Sequence, residues 1–114
     1  MWTIYHNPRC SKSRQTLQLL QEHQVEPEIV LYLETPPDKA TLKSLLKKLG
    51  IEPRALLRKG EDDYKALHLK DPALSNDQLI EAMVAHPKLI ERPIVVKGEH
   101  AVLGRPPENV LELL

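Results

Sequence analysis

Apolar residues recur along this 114-residue chain in different rhythms, and each rhythm predicts a different element. Trp2 to His6 is β-rich and reads as a first strand. Pro8 punctuates. From about Arg9 to His23, Cys10, Ser13, Leu17 and Leu20 fall at i, i+3, i+7 and i+10. That spacing predicts a helix with the cysteine at the top of the face that carries the leucines. Glu28 to Leu33 is a short apolar run without polar alternation, which predicts a strand covered on both faces. Strand, helix and strand at this spacing predict a right-handed parallel unit.

Helical signals follow. Thr35-Pro-Pro-Asp38 offers a capping box with prolines in the first turn, ahead of Leu42, Leu45, Leu46 and Leu49 on one helical face, and Gly50 closes the helix. Pro53 opens a short helical piece through Leu56 and Leu57 to Arg58. Glu61 to Pro72 is charged and weakly patterned, a loop with at most a turn of helix. Ser75-Asn-Asp-Gln78 is a second capping box, starting a helix whose apolar face is Leu79, Ile80, Met83 and Val84, and His86-Pro87 stops it. Ile94 to Val96 and Ala101 to Leu103 flank Lys97 to His100, predicting a β-hairpin with a four-residue loop. Pro106-Pro107 beside Val110, Leu111 and Leu114 predicts a short terminal helix. No internal repeat, linker or low-complexity tract interrupts this order. The reading is one α/β domain, helices packed on a mixed sheet.

Composition narrows the function classes. Lys plus Arg and Asp plus Glu both number 16, so no net field points to nucleic acid or an anionic membrane. Aromatic residues make up 4% with no Phe, which removes the stacking platforms of a single-strand binder. There is no charged-then-apolar leader and no long apolar run, and the single cysteine cannot form an internal disulfide. A soluble cytoplasmic protein is expected. The five histidines lack H-E-x-x-H or paired-cysteine spacing, and no glycine-rich phosphate loop is present, so neither a metal nor a bound cofactor is predicted.

Chemistry concentrates at Cys10. A lone cysteine is commonly inert packing. This one stands where a strand ends and a helix begins, with His6 before it and Arg9, Lys12 and Arg14 alongside. The first N–H groups of a helix lack internal partners and carry the positive end of its dipole, so they favour a thiolate and can hold an oxyanion. His6 could take the thiol proton or, as imidazolium, stabilise the thiolate; alternatively it is a solvated residue at a strand end. Ser13, one turn on, could donate its hydroxyl to the sulfur or to an incoming oxyanion, or be an ordinary first-turn serine. Arg58 before Lys59-Gly60, Arg92 before Pro93, and Arg105 between Gly104 and Pro106 all stand where a breaker fixes the backbone. A guanidinium fork there suits a tetrahedral oxyanion.

Tyr5-His-Asn-Pro-Arg-Cys10, Ser13-Arg14, Thr16-Leu17, Tyr32 to Pro37, Arg54 to Lys59, His86-Pro87 and Arg92-Pro-Ile-Val-Val96 together resemble the glutaredoxin-coupled arsenate reductase family, nearly end to end. The resemblance implies a thioredoxin-like (glutaredoxin-like) fold over residues 1–114, with a helical insertion at about 36–87 and a cis Arg92-Pro93 peptide. It implies Cys10 as nucleophile, His6 as the group assisting its ionisation, Ser13 as the hydroxyl near the thiolate, and Arg58, Arg92 and Arg105 as oxyanion ligands. One departure stands out. The family's arsenate reductases usually carry Gly-Thr after the cysteine, where this chain has Ser11-Lys12. The serine N–H can still bind an anion, and Lys12 adds a positive charge.

By resemblance, the reaction is reduction of arsenate to arsenite through a Cys10 thiol-arsenate adduct. Because the chain has no second cysteine, the further thiols must come from outside; the resemblance implies glutathione as co-substrate and glutaredoxin as partner. Two alternatives remain open. One is a thiol-dependent oxidoreductase of the same fold acting on another oxyanion or on glutathione-linked disulfides. The other is a thioredoxin-fold regulator that binds a protein partner such as RNA polymerase, whose relatives often carry Cys-x-x-Cys where this chain has Ser at position 13. A tyrosine-phosphatase-like hydrolase is disfavoured, because the arginine six residues after the cysteine is absent: position 16 is Thr.

Overall fold

The computed structural model describes residues 1–114 and resolves into two compact units, Met1–Thr35 with Arg92–Leu114, and Pro36–Glu91. The first unit carries a four-stranded sheet in the order β2-β1-β3-β4. Strand β1 (Trp2–His6) pairs in parallel with β2 (Glu28–Leu31) and antiparallel with β3 (Ile94–Lys97), which in turn pairs antiparallel with β4 (His100–Leu103). Helix α1 (Ser11–Glu22) connects β1 to β2, and a 3-10 segment (Pro107–Leu113) ends the chain. This mixed sheet with flanking helices has the thioredoxin-like topology expected from the sequence.

Register explains the core of this unit. Ile4 lies opposite Val95, so the two side chains stand together on one face of the sheet. Leu20 of α1 and Val110 of the terminal segment close over them, with Trp2, Leu17, Val25 and Val102 packed around. Each such buried aliphatic side chain contributes roughly 1.5–3 kcal/mol. Leu17 and Leu20 thus do what their helical spacing predicted.

In the second unit, α2 (Lys39–Leu49), α3 (Pro53–Leu56), α4 (Asp62–Ala66) and α5 (Asn76–Ala85) are followed by a 3-10 turn (Pro87–Leu89). Helices α2 and α3 and the 3-10 turn all pack on α5. Their buried side chains include Leu42, Leu45, Leu46, Leu56, Leu79, Ile80, Met83 and Leu89. The Ser75–Gln78 capping box closes in both directions, and Gly50 takes the left-handed conformation (φ 69) that ends α2. No helix is long and apolar enough to cross a membrane.

Three local expectations are corrected. Strand β2 is not covered on both faces: it ends at Leu31 and lies at an open edge of the sheet, leaving Ile29 47% exposed. Helix α2 is capped by Asp38, whose side chain accepts Thr41 N–H at 2.8 Å, so Thr35 and both prolines precede the helix. An aspartate already placed three residues before a free N–H needs no longer box. The β3–β4 loop has two residues, not four, because Lys97 and His100 pair directly and Gly98 supplies the positive φ of 60°.

Both Arg92-Pro93 and Arg105-Pro106 are cis, the first as the resemblance implied. Gly104, between β4 and Arg105, lies against both Thr16 of α1 and Pro93. Its N–H donates to Pro93 O at 2.9 Å, and its carbonyl accepts Thr16 Oγ1–H at 3.2 Å. A Cβ at position 104 would stand 2.6 Å from Thr16 Oγ1 and 2.8 Å from Pro93 Cγ. Neither neighbour is a flexible chain end. Gly104→Ala is therefore expected to destabilise the fold by about 1–3 kcal/mol, measured as a lower midpoint in urea unfolding; an unchanged midpoint would show that the loop gives way freely.

Candidate active site

Strand β1 ends at His6, and the chain turns at once. Cys10 N–H donates to Asn7 O at 3.0 Å, and Asn7 Oδ1 accepts Arg9 N–H at 3.0 Å, so a buried asparagine side chain holds the turn shut. Arg14 reaches back from the first turn of α1 and donates from Nη1 to Pro8 O at 2.8 Å. The turn delivers Cys10 in extended backbone (φ −93, ψ 123) to the N-cap of α1.

Behind the turn, Ser13 is wholly buried. Its Oγ accepts Asn7 N–H at 3.0 Å and lies 2.6 Å from His6 Nδ1. His6 is held below its ordinary pKa, first by burial and then by the positive charge of Arg14, both of which favour the neutral imidazole. A buried hydroxyl proton needs an acceptor. The network therefore assigns the Ser13 proton to the bond with Nδ1 and leaves the imidazole proton on Nε2. The hydrogen bond of His6 is thus to Ser13, and its lowered pKa favours the neutral imidazole.

The thiol itself is half-buried. Burial is the largest single influence and pushes its pKa up, but the others together outweigh it. They are the Ser13 N–H, a hydrogen bond from the Arg92 guanidinium, the charge of that guanidinium, and the Lys12 N–H. The net effect places the thiol below its ordinary value. No capping hydrogen bond of conventional geometry closes on the sulfur, so the N–H groups act as directed dipoles. Ser13 thus serves the sulfur through its backbone, while its hydroxyl serves the turn.

The remaining candidates are placed as follows. Arg105 donates from Nη1 to Arg92 O at 3.3 Å, and Asn109 Nδ2 holds its turn by donating to Leu103 O at 3.1 Å and Arg105 O at 3.2 Å. Ser11 is the first residue of α1 and, like the Lys12 side chain, is exposed. Arg58 belongs to the second unit, where its guanidinium is held by Glu91 at 3.2 Å and Glu61 at 3.4 Å. No three His, Cys, Asp or Glu side chains assemble into a metal site. A cleft of about 770 Å³ beside the β3–β4 turn lies at the other end of the sheet, next to Lys97, which pairs with Trp2 at the start of β1. It is remote from Cys10, which follows the end of that strand.

Sequence reasoning gave Asn7 no role, Arg14 only a place among the basic residues beside the thiol, and Thr16 none. An Asn directly before Pro is a turn signal and could have revealed the first. The second shows no local signal beyond its charge. Thr16 looks like any core-facing helical residue until its hydroxyl is seen donating to Lys12 O at 2.7 Å and Gly104 O at 3.2 Å.

Two outcomes follow from this geometry. In a pH series of iodoacetamide alkylation, the Cys10 midpoint lies below that of a free thiol, and Arg92→Ala moves it to higher pH; an unmoved midpoint would remove Arg92 from the account. Ser13→Ala orphans the buried Asn7 N–H and is expected to cost about 1–3 kcal/mol, read by chemical unfolding. His6 adds a pH dependence of known sign: its folded pKa is depressed, so its contribution to stability is present above pH 6.5 and is lost as pH falls through the folded value.

The chain as a whole is similar to known proteins. Residues 5–113 match the ArsC family. The chain is 63% identical over 112 residues to the uncharacterised protein YfgD of Escherichia coli, covering 97% of this chain and 94% of that one. It is 49% identical over 112 residues to an arsenate reductase of Neisseria meningitidis, with 97% and 96% covered. A solved structure of an arsenate reductase from Vibrio cholerae superposes with a TM-score of 0.97 at 54% identity, covering 99% of this chain and 97% of that one. A motif set in sequence order, a thioredoxin-like sheet and an acidified cysteine at the start of α1 thus converge with these matches: the chain belongs to the ArsC family.

Proposed function

We propose that the protein is an arsenate reductase, with Cys10 as its nucleophile. The observation that carries this reading is the solitary, acidified thiol at a helix N-terminus, hydrogen-bonded by Arg92. Arsenate is a tetrahedral oxyanion of the size and charge that directed N–H groups and guanidinium forks bind.

The chemistry balances as follows. The Cys10 thiolate attacks arsenic, an As–S bond forms, and an arsenate oxygen leaves as water, giving a thiol-arsenate adduct in which arsenic is still pentavalent. Glutathione displaces a second oxygen as water. The thiol of glutaredoxin then attacks the glutathione sulfur, a mixed disulfide forms, and the pair of the broken As–S bond stays on arsenic, now trivalent. Hydrolysis of the last As–S bond releases arsenite and restores Cys10. One cysteine suffices because the two thiols that are oxidised come from outside.

Arg92 activates the thiol and faces the developing oxyanion, and Arg105, bonded to the Arg92 backbone, adds a second guanidinium. The family resemblance adds Arg58, whose Nε and Nη1 face Glu61 and Glu91. Ser11 and Lys12 offer first-turn N–H groups whatever their side chains, so the departure from Gly-Thr is compatible with anion binding. His6 and Ser13 position the turn and can pass a proton at Nε2.

The test is arsenate-dependent NADPH oxidation with glutathione, glutaredoxin and glutathione reductase. Wild type is expected to turn over, Cys10→Ser to fall to background, and Arg92→Ala to lose about 10- to 100-fold in kcat/KM, the loss of a charge-assisted hydrogen bond at the reacting centre. Lys12→Thr should change the arsenate KM by no more than about threefold, since the backbone N–H remains. Wild-type turnover no greater than that of Cys10→Ser would refute the proposal.

A further inference from the structure

Against the cysteine turn lies a cavity of about 260 Å³, whose lining includes none of the groups that act on the sulfur. One wall is the turn itself, His6 to Arg9. The other is the end of β2 and the turn after it, with Leu31, Leu33 and Glu34. Leu31 and Leu33 are 36% and 39% exposed, continuing the apolar surface of Ile29 along the open sheet edge. Arg9 and Glu34 contribute one charge of each sign, and neither makes an ion pair within the chain. An apolar floor between an unpaired guanidinium and an unpaired carboxylate matches an elongated zwitterion. The volume lies just below the roughly 300 Å³ at which small-molecule sites begin, which suits a short peptide and not a folded domain.

We infer that this cavity seats the thiol that follows Cys10 in the reaction: a peptide-like thiol whose carboxylate meets Arg9, whose ammonium meets Glu34, and whose aliphatic stretch lies on Pro8, Leu31 and Leu33. The inference rests on the thiol-dependent reduction proposed above and adds the place where the second thiol is held. Cys10 N–H is bonded to Asn7 O, so the cavity wall and the nucleophile belong to one four-residue turn. The seated thiolate attacks the arsenic of the Cys10 adduct. An As–S bond forms, an As–O bond breaks, the oxygen leaves as water with the thiol proton, and no electrons change hands in this step. Glutathione has the required groups. A carboxylate-guanidinium pair across such a cavity is worth about 1 kcal/mol, or about fivefold in affinity.

The experiment uses S-methylglutathione, which binds without reacting, titrated into the full chain with methyl-labelled Ile and Leu. Saturable shifts at Ile29, Leu31 and Leu33 are expected, weakened about fivefold in Arg9→Ala and in Glu34→Gln. Both residues are on the surface, so folding should be retained. In steady state the same variants should raise the KM for glutathione about fivefold and leave the arsenate KM and the Cys10 alkylation rate unchanged. With 2-mercaptoethanol, which carries neither charge, variants and wild type should be equal. Shifts confined to another surface, equal loss for both substrates, or an unchanged glutathione KM in both variants would overturn the inference. So would methyls that ignore S-methylglutathione but move with reduced glutaredoxin, or with protein concentration alone; those results would give the surface to a protein partner or to a second copy. Binding at the cavity without arsenate turnover would support the seat and refute the proposed reaction. Turnover with an unchanged glutathione KM would do the reverse.

Discussion

A hydroxyl with no access to water must find both a donor and an acceptor inside the protein, and Ser13 finds them in Asn7 N–H and His6 Nδ1. Much else in the first unit follows from that requirement. Satisfying Ser13 ties the end of β1 to the first turn of α1 and leaves the intervening residues only a tight turn. The turn in turn presents Cys10 at the N-cap, where the Ser13 and Lys12 N–H groups and Arg92 act on its sulfur. Thiol acidity is thus a consequence of backbone placement. His6 is bonded to Ser13 within this turn and is not among the influences on the sulfur.

The balance at the sulfur is a contest between burial and donors. Shelter from water disfavours the thiolate, yet the same shelter makes each directed N–H and the Arg92 charge act through less screening. A more exposed thiol would lose the penalty and much of the benefit. A more buried one would be unreachable for a substrate. The half-buried N-cap position keeps both terms, with the donors ahead.

Much of this was legible from residue order. The spacing of Cys10, Ser13, Leu17 and Leu20 gave α1 and its inward face, and the Ser75–Gln78 box placed the start of α5. Whether β2 is central or at an edge could not be read, because strand order is set by pairing across the chain, and its apolar run looks the same in either place. The Asp38 cap was hidden by a competing Thr35 signal three residues upstream. At the site, Cys10 was readable from local chemistry and Arg92 through family resemblance. The bond between His6 and Ser13 was not, since it joins residues seven apart on different elements, and neither was Arg58's hold by Glu91, a residue of a distant stretch of the chain.

The close approach at Gly104 bears on how such a chain can change. Thr16, Pro93 and Gly104 share one small volume, so the space available at any of them is defined by the other two. Arg92 and Arg105 each stand beside one member of this trio, and Cys10 heads the helix that carries the third. Drift at these three positions is therefore not independent: a substitution tolerated at one is conditional on the identity of its neighbours. Changes in the setting of Arg92 and Arg105 would have to arrive as matched sets, which leaves the exposed Ser11 and Lys12 as positions where single steps are open.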